Sequence, residues 1–122
     1  MDAPLDIAEK LALIDEPWRP RVLTEFSGQE LRIVKVDTGT FPWHYHADYD
    51  EVFIGWTGEL KVEFRDRSVS VQPGTVFVVP RGIEHRTVAE GPAEVLFIAA
   101  VGAKNTGNVD EHVYTAPVGV KA

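Results

Sequence analysis

The chain has 122 residues with no cysteine, 12 Lys plus Arg against 19 Asp plus Glu, and four histidines. That length is ordinary for one domain and buries roughly two-thirds of the unfolded surface, enough for a core without disulfides. The absence of Cys excludes a disulfide scaffold, thiolate zinc sites, cysteine-ligated iron–sulfur clusters and a cysteine nucleophile, and the formal charge of −7 argues against nucleic acid and anionic membranes as partners.

At the N-terminus, Asp2, Asp6 and Glu9 interrupt the first ten residues, so no basic region is followed by an apolar stretch and no signal peptide is expected. The longest apolar runs, such as Val95–Val101, fall far short of the ~20 residues that span a bilayer. A cytoplasmic protein is the expectation. The organisation reads as a single domain over 1–122, with a helix and Pro-containing connection at 1–20, a β-barrel at 21–115 and a tail at 116–122.

Leu5, Ala8, Leu11 and Ala12 recur at helical spacing behind Pro4, and Pro17 and Pro20 close this one helical segment. Trp18, between the two prolines, is expected to anchor the segment on the body of the protein. From residue 22 the text changes to short runs rich in Val, Ile, Phe and Thr, punctuated by Gly, Pro and Asp. Strands are expected at about 22–26, 31–36, 42–46, 51–56, 59–65, 69–71, 76–79, 84–88, 93–100 and 110–115. The clearest is the alternation of Leu60, Val62 and Phe64 with Glu59, Lys61, Glu63 and Arg65. Many short strands without alternating helices indicate an all-β sandwich or barrel.

Three histidines and a glutamate carry the chemistry. The first segment reads Gly39-x4-His44-x-His46-x4-Glu51-x6-Gly58, and the second, after 15 residues, Gly74-x5-Pro80-x-Gly82-x2-His85. Residues two apart in extended chain share a face, so His44 and His46 present imidazoles about 7 Å apart along the chain while Trp43 and Tyr45 point the other way. Ala47–Asp50 reverse the chain and let Glu51 reach the same side, and His85 follows the Pro80–Gly82 turn to complete the set. Three neutral imidazoles and one carboxylate suit a divalent transition metal (Mn, Fe, Ni, Co, Cu or Zn) and leave positions open for a substrate. The site's net charge of about one positive would attract anionic or carbonyl-bearing small molecules.

The two segments resemble the paired motifs of the cupin superfamily, and the whole chain is similar to small single-domain bacterial cupins of the mannose-6-phosphate-isomerase-like group. The resemblance implies a double-stranded β-helix, the jelly-roll cupin barrel, with His44, His46, Glu51 and His85 in the metal-ligand positions. Three departures stand in this sequence, one being the 15-residue gap between the segments, which is at the short end for the family. Four residues separate Gly39 from His44, where five are usual, and Ala89 occupies a place where Asn is common.

Phe53 shares a face with Glu51 and is expected to line the cavity. Tyr49 and Arg81, in turns beside the ligands, are expected at its mouth as substrate-binding residues. Gly55 leaves room either for a ligand or for packing, and His112 is spare. The resemblance also implies a homodimer in which strands around Val22–Val36 meet the partner, with Trp18 and Trp43 suited to the interface. The function expected is a metal-dependent dioxygenase, decarboxylase or isomerase acting on a small oxo-acid, diketone or sugar derivative. The alternative is a non-catalytic metal-containing module that binds a small carboxylate or sugar.

Overall fold

The computed structural model describes residues 3–122; Asp2, part of the acidic N-terminal stretch, lies outside the described residues. The helix is shorter than the sequence pattern suggests. α1 spans Ile7–Ala12, and the Asp6 carboxylate caps it by accepting from Glu9 N at 2.8 Å, an interaction worth about 1 kcal/mol. The stripe it buries is Leu11 and Ile14 with Ile7 half-buried, whereas Leu5, Ala8 and Ala12 are exposed. Ile7, Leu11 and Ile14 are spaced i, i+4, i+7 and so share one face, and burying those three aliphatic side chains sets the rotation of the helix on the sheet while Leu5 and Leu13 stay exposed.

Nine strands follow: β1 Arg21–Phe26, β2 Gln29–Val36, β3 Gly39–Thr40, β4 Glu51–Thr57, β5 Leu60–Glu63, β6 Ser68–Val71, β7 Val76–Val79, β8 Arg86–Ala89 and β9 Ala93–Ala100. They form two antiparallel sheets, one ordered β1-β2-β9-β4-β7 and the other β3-β8-β5-β6. The all-β jelly-roll expectation holds. Ser27 and Gly28, both at positive φ, join β1 to β2 in a two-residue hairpin, and Gly58, at φ 68, carries the chain from β4 to β5.

Alternation places Val34, Val36, Phe53, Val62, Val95 and Phe97 between the sheets, where they form the main core. A smaller cluster outside it joins α1 to Ile33 and Leu96 on the outer face of the larger sheet. The inward face of β2 also carries a buried ion pair. Arg32 donates through Nε and Nη2 to Glu30 Oε1 at 3.0 and 2.7 Å, and through Nη2 to Ala103 O at 2.9 Å.

Two expected strands are absent. At 42–46 only His44 makes a ladder contact, as an isolated bridge to His85, because Pro42 has no N–H to donate and the segment is otherwise held by loops. At 110–115 the chain turns instead of extending, with Thr115 N donating to His112 O at 2.9 Å. The edge of β1, where another strand would have paired, is met by the C-terminal residues: Val22 N donates to Val120 O at 2.7 Å and Ala122 N to Val22 O at 2.9 Å.

Residues 101–122 therefore strap back across the barrel, burying Thr106 and Ala116 on the way. Trp18 anchors the opposite side of this strap, stacked on Phe41 and Tyr114 with centroids 5.8 and 5.0 Å away. At 6% exposure it faces the interior, so it is not available to a subunit interface. Trp43 lies outside the barrel between the guanidiniums of Arg65 and Arg86, 3.9 and 4.7 Å from its ring. Among the described residues, no helix is long and apolar enough to cross a membrane.

Candidate metal centre

His44 and His85 are brought together by the backbone before their side chains meet. His44 N donates to His85 O and His85 N to His44 O, each at 2.9 Å, so the two motifs of the sequence share one narrow bridge. His46 O accepts from Gly82 N at 2.8 Å, which ties the second imidazole of the first motif to the turn that precedes His85. Gly82 sits at φ 77, a conformation that glycine adopts without the penalty a side chain would bring. Glu51 opens β4 opposite Val79 and points inward with Phe53.

All four side chains are buried, and one ligand atom from each lies within 4.8 Å of the others. Glu51 Oε1 is 3.2 Å from His85 Nε2 and 3.5 Å from His46 Nε2. Every imidazole is gripped at its outer nitrogen. His44 Nδ1 donates to Pro42 O at 2.8 Å and His85 Nδ1 to Ile83 O at 2.9 Å, which turns both Nε2 atoms toward the cluster, where His85 Nε2 meets Glu51 Oε1 at 3.2 Å. His46 Nδ1 meets the Tyr49 hydroxyl at 2.8 Å, and its buried Nε2 has no hydrogen-bond partner. A buried ring nitrogen left orphaned among a carboxylate and two other imidazoles is the arrangement that a cation would satisfy.

The protonation states agree with that use. Burial, reinforced by the neighbouring His85, lowers the His44 pKa to about 4, so the ring is neutral at pH 7 as a ligand must be. Burial pushes the Glu51 carboxyl up, but the facing ring nitrogens of His46 and His85 outweigh it and hold its pKa at about 2. Burial and the nearby Glu51 charge push the Tyr49 phenol up, so it remains a neutral hydroxyl. The residues present therefore fit a divalent cation.

Two of the ligands, His44 and Glu51, open onto a small, partly open cavity. His44 and Glu51 form its polar end. Its walls are Val34, Val36, Phe41, Phe53, Leu60, Val95 and Phe97, with Trp18 and Pro20 toward the strap; Thr87 and Asn105 supply the remaining polar groups. Phe53 stands where the alternation of β4 places it.

Tyr49 and Arg81 do not line this cavity. Tyr49 is occupied by His46, and Arg81 is an exposed side chain whose backbone N and Nε both donate to Asp50 Oδ1, at 2.9 and 3.3 Å. Nor does Gly55 make room for a ligand. A Cβ there would lie 2.1 Å from Gln72 O, so the glycine allows close backbone packing.

Sequence reasoning missed the strap's share of the site. Asn105 reaches the cavity wall while its amide spans Tyr114 O and Ala116 N, and the backbone of Gly107 presses on the loop bearing His44. A Cβ at Gly107, itself at φ 55, would lie 2.3 Å from Tyr45 O and 3.2 Å from His44 Cδ2. The only sequence signal for it is the small, polar run Asn105-Thr106-Gly107-Asn108. Gly107→Ala is accordingly expected to destabilise the protein by about 1–3 kcal/mol, read as a lower urea midpoint at unchanged m-value.

A family model described as a Cupin domain matches residues 31–99. The crystal structure of a cupin-2 domain containing protein from Shewanella frigidimarina NCIMB 400 is 38% identical, with a TM-score of 0.76 over 79% of this chain and 93% of that one. Protein NMB1881 from Neisseria meningitidis is 28% identical, with a TM-score of 0.72 over 80% of this chain and 99% of its own. Among curated proteins, YdbB of Bacillus subtilis (strain 168), itself uncharacterized, is 42% identical over 53 residues. That match covers 43% of this chain and 47% of the relative, about half its length.

Proposed function

The chain belongs to the cupin domain family, and on that premise we propose that it is a metal-dependent enzyme for a small substrate with an apolar body and a chelating pair of oxygens. A diketone or an oxo-acid is the class that fits. The observation that carries this reading is a buried cluster of three histidines and one glutamate, two of whose members, His44 and Glu51, line a cavity with apolar walls. His44, His46, Glu51 and His85 would hold the cation. When bound, it supplies Lewis acidity toward the substrate oxygens and, for a redox-active ion, one-electron chemistry.

The cavity walls narrow the substrate class. A sugar needs a ring of hydrogen-bonding groups, and a sugar phosphate needs a cation as well. Apart from His44 and Glu51, the wall offers Thr87 and an Asn105 whose amide is engaged by the strap, and it carries no Lys or Arg among the described residues. Phe41, Phe53 and Phe97 suit instead an apolar substrate body, and they exclude water from the reacting end.

The same walls bear on the reaction. Isomerisation by proton transfer calls for a general base beyond the ligands, and His44 and Glu51 are the titratable residues among those lining the cavity. Oxygenation or decarboxylation of the chelated substrate makes no such demand and is the reaction class we favour. The test is turnover by metal-loaded protein against a panel of diketones, oxo-acids and sugar phosphates, with oxygen uptake recorded. Metal-dependent turnover confined to the diketones and oxo-acids is expected. Saturable binding without turnover across the panel would assign a non-catalytic binding module instead.

A further inference from the structure

We propose that Tyr49 is a positioning residue that selects the metal-competent tautomer of His46 and so sets the affinity of the centre for a divalent cation. The inference rests on the metal reading of the site and goes beyond it, because Tyr49 touches neither the cavity nor Glu51 by hydrogen bond. It touches His46, through a 2.8 Å contact between its hydroxyl and Nδ1 and a ring-to-ring distance of 4.8 Å.

The three imidazoles are not held alike. His44 and His85 give their Nδ1 protons to the backbone carbonyls of Pro42 and Ile83. A carbonyl only accepts, so the fold itself keeps a proton on Nδ1 in both rings and reserves Nε2 for the cluster, where His85 Nε2 faces Glu51 Oε1 at 3.2 Å. His46 alone among the three is held at Nδ1 by a side chain, and a hydroxyl both donates and accepts. Two arrangements satisfy the 2.8 Å contact. In one, Tyr49 donates to Nδ1, and the proton on Nε2 points toward Glu51 Oε1, 3.5 Å away. In the other, Nδ1–H donates to the Tyr49 oxygen, and Nε2 offers its lone pair to the cluster.

Only the second arrangement ligates a cation, and the Tyr49 oxygen is the acceptor that makes it available. With phenylalanine in place of Tyr49, the Nδ1 proton of metal-ligating His46 would be buried without an acceptor. The cation-bound state would then carry a larger cost than the cation-free state, which can shift the proton to Nε2 beside Glu51 and leave only an unpaired acceptor at Nδ1. Outer partners of metal-ligating histidines typically contribute 10–100-fold in metal affinity. The conversion of Tyr to Phe keeps the ring against the core, where Tyr49 is half-buried, and removes only the hydroxyl.

The test uses the full chain, wild type and Tyr49→Phe, stripped by chelator and titrated with Zn²⁺ and Mn²⁺ by calorimetry, alongside NMR of ¹⁵N-histidine-labelled, zinc-loaded wild type. The expected result is about 10–100-fold weaker binding by the variant, a cation-free variant that is folded by circular dichroism, and a protonated Nδ1 on His46 in the zinc-loaded wild type. Equal affinities would overturn the role of Tyr49 while leaving the metal centre standing. An unprotonated His46 Nδ1 in the zinc-loaded wild type would overturn it even if the variant failed to fold. A wild type that takes up neither ion would overturn both this inference and the metal reading beneath it.

Discussion

Glu51→Gln is expected to leave the fold intact and to abolish metal retention and turnover together. The substitution changes one oxygen to an amide of the same shape and removes the only negative charge among the four ligands. Glu51 Oε1 is the atom on which the Nε2 atoms of His46 and His85 converge, at 3.5 and 3.2 Å. With Gln, three neutral imidazoles would face a cation without the anion that partly neutralises it, in a site where burial withholds compensating water. The loss should exceed the 10–100-fold that removal of an outer partner brings. Metal content measured after purification without chelator, together with circular dichroism, checks both halves. A Glu51→Gln protein that is folded and still metal-loaded would show that Glu51 is not a ligand.

The site is more legible in the sequence than the walls around it. Glycines at turns, the two-residue spacing of His44 and His46 and the strand start at Glu51 are local constraints, and spacing carries local constraints directly. Their convergence with His85 also follows, because the Pro80–Gly82 turn leads straight into the bridge opposite His44. What the strand pattern obscures is how little regular pairing the ligands need: His44 sits in a single bridge, not a strand. The alternation of β5 is readable for the same local reason.

The closing strap is not legible. Its residues are bound by single contacts to distant partners, such as Asn108 Oδ1 accepting from Tyr45 N at 2.8 Å and Arg19 Nη1 donating to Thr115 O at 2.7 Å. Such contacts have no periodicity. The run 110–115 looks like a strand by composition, but a strand needs an edge, and the last three residues of the chain already lie along β1. The inward Glu30 and Arg32 likewise break the apolar alternation of β2, and only the fold shows that each satisfies the other. The turn that holds Tyr49 lies near the ligands, which by proximity alone suggests the cavity mouth. Its contact with His46 is one hydrogen bond that residue spacing cannot specify.

Metal loading should raise the thermal midpoint of the wild type strongly, and chelation should reverse the effect. The four ligands come from positions 44, 46, 51 and 85, on a loop, the first residue of β4 and the approach to β8. An unfolded chain does not hold these groups together, so a cation binds the native state almost alone and its binding energy adds to folding. At free metal about a thousand times the dissociation constant, the gain is about 4 kcal/mol. For a domain of this size that corresponds to a rise of roughly 10–20 °C.

Wild type and the two ligand-sphere variants then order themselves by mechanism. Wild type should show the full rise, Tyr49→Phe a smaller one at equal metal concentration, and Glu51→Gln none. Because RT ln(1 + [L]/Kd) is the only term that differs, the midpoint of each protein should climb with metal concentration in step with its own affinity. Differential scanning calorimetry across a metal titration reads this directly. A wild-type midpoint that is flat from chelated to metal-saturated solution would mean that the buried nitrogen of His46 is satisfied by something other than a cation, and the centre would have to be read as a structural polar cluster.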